Sequence, residues 1–186
     1  MQFSFADTPI PGVKLITLNA ITDARGWFLK TFHAPTFAAQ GLETNFPEAF
    51  VSLSKRHVIR GMHFQTPPHD HAKLVRCVTG KVRDVVLDLR TQSATYGQCA
   101  SFILDAATPQ VVYIPTGMAH GFITLSEEAV LEYHTSTVHQ PASDSGIRWD
   151  SFGFDWGLGG LIPTLSARDN AFANFSEFVS PFLAPA

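Results

Sequence analysis

Two side chains suited to proton chemistry, His63 and Lys73, lie close together in the stretch 60–90, RGMHFQTPPHDHAKLVRCVTGKVRDVVLDLR. His63 follows Gly61 in a predicted turn, and Lys73 begins an alternating run that predicts a strand. A neutral imidazole can remove a proton near neutral pH, and an ammonium group can stabilise the negative charge that results. Strands of a barrel point such groups into a shared interior, so this pair is the first candidate for an active site.

The elements around this pair have the signature of an all-β protein. Short runs with strand-like alternation recur at intervals of roughly 8–12 residues, which is typical of a sandwich or a barrel. Turn residues separate them, at Gly80, Gly97, Gly117 and Pro141. The predicted strands are, in chain order, VKLITL, WFLKTF, FVSLS, LVRCV, KVRDVVLDL, QCASFIL, QVVYI, GFITL, AVLEYHTS and GIRW.

Two segments favour helices instead. Residues 34–41, APTFAAQG, predict a short helix that ends at the glycine. Near the end of the chain, the segment DNAFANFSEFVSPFL carries phenylalanines at helical spacing, which predicts a helix over about 166–182. Ser166 or Asp169 is its expected N-cap. We expect this helix to pack on the barrel or on a partner subunit.

Composition limits the classes of protein to which this chain can belong. Its 186 residues are 45% hydrophobic and include 16 phenylalanines, which suits one domain over 1–186 with a core over about 50–140. The net charge of −3 and the lack of a Lys/Arg cluster argue against a nucleic-acid partner, and no apolar run approaches the roughly 20 residues of a membrane span. The chain does not open with a secretion-signal pattern and has only two cysteines, so we expect a cytoplasmic protein with reduced thiols.

A second informative stretch, Ile114–Phe122, carries the pattern Pro-x-Gly-x-x-His that ends at His120. This pattern is similar to the second motif of the cupin superfamily, small β-barrels of the jelly-roll type. The first cupin motif is partly present as His69-Asp-His71, but its glutamate is missing. Because three histidines can hold zinc, iron or manganese, a metal-dependent cupin enzyme that uses His69, His71 and His120 is one alternative.

Further motifs follow in a fixed order: RGMHFQTPP, AKLVRCVTGKVRDVVLDLR, TYGQ, IPTGMAHGF, a tyrosine at position 133, GIRWD and LSARD. In order and spacing this set resembles the dTDP-4-dehydrorhamnose 3,5-epimerase family, and the resemblance runs from Asp23 to Asp169. It implies an all-β, cupin-type jelly-roll barrel that forms a homodimer and needs no cofactor and no metal. The implied substrate is a nucleoside-diphosphate 4-keto-6-deoxyhexose, used in deoxysugar synthesis.

The resemblance assigns a role to each of four side chains. A C–H bond next to a ketone can lose its proton when a base reaches it and the resulting enolate is stabilised. His63 corresponds to the family's base, and Asp169 to the carboxylate that orients it. Lys73 corresponds to the cation that stabilises the enolate oxygen, and Tyr133 to the acid that returns a proton to the other face. The expected reaction is inversion at C3, C5 or both.

Four more residues correspond to substrate-binding positions. Arg25 and Arg60 would hold the diphosphate, for which the forked guanidinium group is suited, and Gln65 and His120 would also contact the substrate. Taken singly, each predicted site residue also has a structural interpretation, such as a satisfied turn histidine, a surface arginine or, for Asp169, a helix cap. Their joint occurrence in the family's order favours the site.

Five positions depart from the family's pattern. The family has a carboxylate at Lys30, an asparagine at Phe50, glutamine at His71, lysine at His134 and tyrosine at His139. Because the four predicted catalytic residues are retained, these changes bear on the substrate more than on the type of reaction. They leave open a second alternative, a non-catalytic barrel that binds a sugar nucleotide. Such a protein has no need of a base, an enolate partner and an acid together.

Overall fold

The computed structural model describes residues 2–183, and nearly all of its regular structure is β. The strands are β1 Phe3–Asp7, β2 Lys14–Leu18, β3 Ile21–Asp23, β4 Gly26–Phe28, β5 Glu48–Lys55, β6 Ile59–Gln65, β7 Lys73–Thr79, β8 Lys81–Asp88, β9 Cys99–Asp105, β10 Gln110–Ile114, β11 Met118–Thr124, β12 Glu128–Thr135 and β13 Asp144–Gly146. The helical segments are α1 Ala34–Ala38, α2 Ala167–Asn170 and a 3-10 helix Phe175–Glu177.

Two antiparallel sheets build the body of the protein. One has six strands in the order β1-β2-β10-β7-β12-β5, and the other has five in the order β13-β6-β11-β8-β9. The strands β3 and β4 form a separate hairpin. Neighbours in both sheets are mostly distant in sequence, as in the jelly-roll barrel of cupins, and the predicted all-β, cupin-type fold is confirmed.

Apolar side chains from the two sheets meet in the interior. Val75 and Leu131 of the six-stranded sheet lie in one cluster with Val86 and Phe122 of the five-stranded sheet, and all four are at most 1% exposed. Along β12 buried residues alternate with half-buried or exposed ones, because successive side chains point to opposite faces of a strand. This alternation turns Tyr133 inward.

Residues 59–65 form strand β6, where the sequence predicted a turn around His63. The strand lies inside the five-stranded sheet, between β13 and β11, and most of its residues on both faces are buried. A strand buried on both faces loses the alternation by which strands are recognised in sequence. Gly61 also suggested a turn, but its role is a close approach, because a Cβ there would lie 2.5 Å from the Cα of Gly121 in β11.

The segment predicted as a helix over 166–182 contains one turn of α-helix, α2, and the 3-10 helix Phe175–Glu177. Of the two predicted N-caps, Ser166 is the N-cap of α2, and its hydroxyl accepts a hydrogen bond from the N–H of Asp169, which lies inside the helix. The phenylalanines pack at separate places on the barrel: Phe172 fills the space left by Gly146, and the Phe178 ring lies 5.2 Å from that of Phe64. Their spacing therefore reflects a wrapped chain and not one long helix.

The cysteines and the helices bear on where the protein is found. Both cysteines, Cys77 and Cys99, are free thiols. Within residues 2–183, no helix is long and apolar enough to cross a membrane.

Candidate active site

A cavity of about 270 Å³ opens between the two sheets. Strands β5, β7 and β12 supply one wall, and β6 and β11 supply the other. Six of the eight residues that the sequence nominated lie in its lining, namely Arg60, His63, Gln65, Lys73, His120 and Tyr133. A seventh, Asp169, lies directly behind His63.

His63 and Asp169 form a hydrogen-bonded pair. The His63 Nε2 atom lies 2.8 Å from Asp169 Oδ1, and the other carboxylate oxygen accepts the N–H of Gly61 at 3.2 Å. Burial lowers the pKa of His63, and the bond to Asp169 only partly opposes this effect. Burial would raise the pKa of Asp169, but the bonds from His63 and Gly61 outweigh it and lower that pKa. At neutral pH the carboxylate is therefore charged and the imidazole neutral, with its hydrogen on Nε2 and the Nδ1 lone pair available as a base.

Lys73 is a buried cation beside this base. It is the first residue of β7, is 7% exposed, and donates from Nζ to the backbone carbonyl of His63 at 3.1 Å. No carboxylate of the described residues forms an ion pair with it. Burial lowers its pKa to about 8, against the attraction of Asp144 and Asp84. A cation in so dry a position can stabilise a nearby negative charge strongly.

Tyr133 lies on β12 in the six-stranded sheet, next to the strand that carries Lys73. Its hydroxyl is 3.5 Å from Ser52 Oγ, and its ring stacks on Phe50 with centroids 4.7 Å apart and planes at 14°. Burial raises the pKa of Tyr133, so its hydroxyl keeps its proton at any working pH. Since His63 belongs to the five-stranded sheet and Tyr133 to the six-stranded sheet, a base and an acid face the cavity from opposite walls.

His120 is the cross-strand partner of His63 on β11. Its Nε2 atom lies 2.7 Å from Asp84 Oδ2, and both side chains are buried, with His120 4% exposed and Asp84 0%. The imidazole ring is 6.1 Å from that of Tyr133. The buried carboxylate holds His120 in one orientation, so it is a fixed polar group in the cavity wall.

The predicted substrate-binding arginines are placed differently. Arg60 lines the cavity and is held by Ser54 Oγ at 2.8 Å and the carbonyl of Leu53 at 3.1 Å. Arg25 lies outside the cavity, on the turn of the β3–β4 hairpin, paired with Asp23 and 90% exposed. The fold of one chain therefore does not bring Arg25 to the other residues.

Gln65 lines the cavity but uses its amide to connect two loops. Its Nε2 donates to the carbonyl of His69 at 2.7 Å and contacts His71 Nδ1 at 3.1 Å. Its Oε1 accepts the N–H of Gln140 at 2.6 Å. These bonds tie the segment before β7 to the segment after β12, and they leave the amide little capacity for a substrate.

The histidines of the metal alternative do not come together. His69 is bonded to Ser143 Oγ at 3.0 Å and lies outside the cavity lining, whereas His71 and His120 line the cavity. Among residues 2–183, no group of three or more histidine, cysteine or acidic side chains is placed to hold a metal ion. The geometry does not favour a metal cupin.

Other cavity residues were not nominated from the sequence. Arg168 and Asp144 form an ion pair at 2.8 Å, and the Arg168 guanidinium lies 5.3 Å from the centre of the Phe172 ring. Glu48, also in the cavity lining, accepts a hydrogen bond from the backbone N–H of His139. Arg168 directly precedes Asp169, so the sequence offered a signal for it, but Glu48 and Asp144 become neighbours of the site only through the fold.

A jelly-roll barrel whose cavity holds a neutral histidine paired with an ionised aspartate, a buried lysine and an opposed tyrosine defines a class of enzyme built for proton transfer at carbon. The comparison with known proteins specifies the class. A family model described as dTDP-4-dehydrorhamnose 3,5-epimerase matches residues 7–177, and the chain belongs to this family of isomerases.

Relatives support this assignment over most of the chain. The dTDP-4-dehydrorhamnose 3-epimerase of Streptomyces niveus is 41% identical over 163 residues, 86% of this chain and 78% of the relative. The dTDP-4-dehydrorhamnose 3,5-epimerase of Methanothermobacter thermautotrophicus is 40% identical over 159 residues, 84% of this chain and 85% of the relative. A solved Legionella pneumophila dTDP-6-deoxy-D-glucose-3,5-epimerase, in complex with dTDP-4-keto-L-rhamnose, superposes with a TM-score of 0.93 at 30% identity and covers 98% of this chain and 100% of its own.

Proposed function

We propose that this protein inverts C3, C5 or both in a dTDP-linked 4-keto-6-deoxyhexose, without a cofactor, by removal and return of a proton through an enolate. The observation that carries the proposal is the arrangement of His63 with Asp169, Lys73 and Tyr133 around one cavity. The names of the relatives point to the same substrate class. Neither alternative, a metal cupin or a binding barrel without catalysis, explains why these four side chains lie around one cavity.

In the proposed mechanism the Nδ1 atom of His63 takes the proton from the carbon next to the C4 ketone. The electron pair of the C–H bond moves to the C4 oxygen, where Lys73 stabilises the charge of the enolate. Asp169 stabilises the imidazolium that forms. Tyr133 then delivers its proton to the carbon from the opposite wall and inverts the centre. Exchange with solvent returns a proton to Tyr133 and removes one from His63.

The cations at the mouth of the cavity suit the diphosphate of the substrate. Arg60 and Arg168 are both exposed there, and guanidinium groups bind phosphate oxygens through paired hydrogen bonds. The two buried cavity groups nearest the base, Lys73 and His120, are left for the sugar.

We also place the protein in the cytoplasm, where sugar nucleotides are used, and its two free cysteines fit that compartment.

We further propose a homodimer that places Arg25 at the partner's cavity. The edge strand β5 exposes Val51 and Leu53, at 66% and 53%, and the β3–β4 hairpin exposes Trp27 at 70%. Exposed apolar edges of this kind are expected to be covered, and a second copy would cover both. Light scattering at micromolar concentration tests the dimer. Trp27→Glu should produce monomers with weakened dTDP binding, and a monomeric wild type would refute the arrangement.

Proton NMR of dTDP-4-keto-6-deoxyglucose with the protein in D₂O tests the function. Loss of the C3 and C5 proton signals supports a double epimerase, and loss of one identifies a mono-epimerase. His63→Asn should abolish the exchange and leave the affinity for dTDP unchanged, which separates an enzyme from a binding barrel. The proposal fails if the folded wild type exchanges neither proton.

A further inference from the structure

Two buried polar atoms in the cavity wall have no hydrogen-bond partner among the described residues. They are the Nε2 of His71 and the Oγ1 of Thr135, and both side chains line the cavity. A buried polar atom without a partner costs free energy, so such atoms are uncommon unless a ligand or water completes them. Their place next to the proposed catalytic residues suggests a ligand.

Gln65 fixes which nitrogen of His71 carries the hydrogen. The Gln65 oxygen accepts the Gln140 N–H, and its nitrogen donates to the His69 carbonyl, so the orientation of the amide is set. The same nitrogen lies 3.1 Å from His71 Nδ1, which must therefore accept. The hydrogen of the neutral ring is then on Nε2. Burial, and then the charge of Lys73, lower the pKa of His71 to about 3, so the ring stays neutral.

Thr135 is a neighbour of Lys73 in the sheet. It is the cross-strand partner of Lys73 in the pairing of β12 with β7, and it shares the inward face of β12 with Tyr133. Its hydroxyl can donate one hydrogen bond. His71 precedes Lys73 by two residues in the chain, so both neutral donors belong to residues next to Lys73, and all three side chains line the same cavity.

We propose that His71 Nε2–H and Thr135 Oγ1–H, together with Lys73 Nζ, bind the C4 oxygen of the sugar and stabilise it as it becomes an enolate. The inference rests on the proposed function and adds His71 and Thr135 to it. Lys73 donates to the backbone carbonyl of His63, so an oxygen bound at these donors lies beside the base. The diphosphate is a poorer candidate, because the exposed Arg60 and Arg168 serve it at the mouth, whereas His71 Nε2 and Thr135 Oγ1 are buried.

Matched variants test the donors one at a time. Thr135→Val keeps the shape of the side chain and removes the hydroxyl, and Thr135→Ser keeps the hydroxyl. His71→Phe keeps a flat ring without a donor, and His71→Gln offers an amide that can accept from Gln65 and donate to the cavity. Circular dichroism and thermal melting of each variant, compared with the wild type, show whether the fold is retained.

Two quantities are measured for each variant. The first is the rate of C–H to C–D exchange at saturating dTDP-4-keto-6-deoxyglucose, and the second is the affinity for dTDP alone, by calorimetry. We expect Thr135→Val and His71→Phe to lower the rate by about 100- to 1,000-fold, as loss of a donor to a developing oxyanion does. Their affinity for dTDP, which has no sugar, should stay within twofold of the wild type. Thr135→Ser and His71→Gln should recover most of the rate.

Three results would overturn the inference: an unchanged rate in both donor-deletion variants, a loss of dTDP affinity equal to the loss of rate, or equal rates in Thr135→Val and Thr135→Ser. In each case the wild type still exchanges its substrate, so the proposed function survives. A folded wild type that exchanges no proton overturns the proposed function and, with it, this inference.

Discussion

Replacement of Asp169 by Asn tests whether this carboxylate sets the tautomer of His63. Both of its oxygens accept hydrogen bonds, one from His63 Nε2 and one from the Gly61 N–H. An asparagine has one acceptor oxygen only. If that oxygen keeps the Gly61 N–H, the amide NH₂ faces Nε2, which must then accept, and the ring hydrogen moves to Nδ1. The nitrogen left for the substrate no longer has a lone pair.

The size of the effect follows from these bonds. Loss of a hydrogen bond to a charged group costs about 1.5–3 kcal/mol, and each 1.4 kcal/mol is about tenfold in rate. The wrong tautomer adds to this loss, so we expect the exchange rate to fall by about 100- to 10,000-fold. The carboxylate also raises the pKa of His63 against the larger, lowering effect of burial. Its removal lowers that pKa further, so the acidic limb of the pH–rate profile should move to lower pH.

The assay is deuterium exchange at C3 and C5, followed by NMR across a range of pH. Asp7→Asn is a matched control, because Asp7 is an exposed carboxylate paired with Lys14 on the first two strands, away from the cavity. It should behave like the wild type. An Asp169→Asn rate within threefold of the wild type, with an unmoved acidic limb, would refute the assigned role of the dyad.

Three further predictions concern other side chains. Because burial lowers the pKa of Lys73 to about 8, the exchange rate should fall as pH rises through that value. An active Lys73→Arg variant should shift this alkaline limb of the pH–rate profile to higher pH. A wild-type profile that is flat up to pH 10 would contradict the need for a charged Lys73. Tyr133→Phe should still exchange the abstracted proton for deuterium but accumulate little inverted product by NMR, and normal product formation would remove Tyr133 as the acid. Asp88→Asn should cost about 3–5 kcal/mol in urea unfolding, because it leaves buried Arg90 without its charge partner. Burial opposes ionisation of Asp88, but the bonds from Arg90 and nearby hydroxyls lower its pKa, so its contribution to stability is present above the unfolded pKa and lost as pH falls through the folded one.

Much of the β framework could be predicted from the sequence, because glycines in turns mark where several strands begin and end. Gly80, Gly97 and Gly117 all adopt positive φ, between +75° and +80°, in turns next to strands. Such turns favour glycine, and the strands beside them alternate in burial wherever one face is exposed. Strand β6 was missed because it is buried on both sides and so has no alternation.

The C-terminal segment was predicted only in part, for a different physical reason. Ser166 is a cap whose signal is local, and it was found. Whether phenylalanines continue a helix depends on what they meet, and Phe172 meets a space that exists only because Gly146, in another strand, has no side chain. The Phe172 ring would clash with any residue at position 146 that is larger than glycine. Helical periodicity cannot distinguish this wrapped arrangement from a helix.

Residue types could nominate the candidate site, but its geometry depends on pairing between distant segments. His63 and Asp169 are 106 residues apart in the chain and meet because α2 follows the barrel back to β6. Gln65 shows the limit of the residue type, since its amide is used within the protein. Arg25 shows the limit of a single chain, since it lies outside the cavity of its own chain and would reach a site only in the proposed dimer.

The departures from the family's pattern divide by position. Phe50, His71 and His139 line the cavity, whereas Lys30 and His134 do not. None of the three is hydrogen-bonded to His63 or Asp169: Phe50 stacks on the Tyr133 ring, and His71 is bonded to Gln65. The changes therefore lie in the cavity wall and not in the hydrogen bonds of the predicted base and its carboxylate. On the proposed function, Phe50 and His139 would affect which 4-keto sugar fits, and His71 would also bind the oxygen that becomes the enolate.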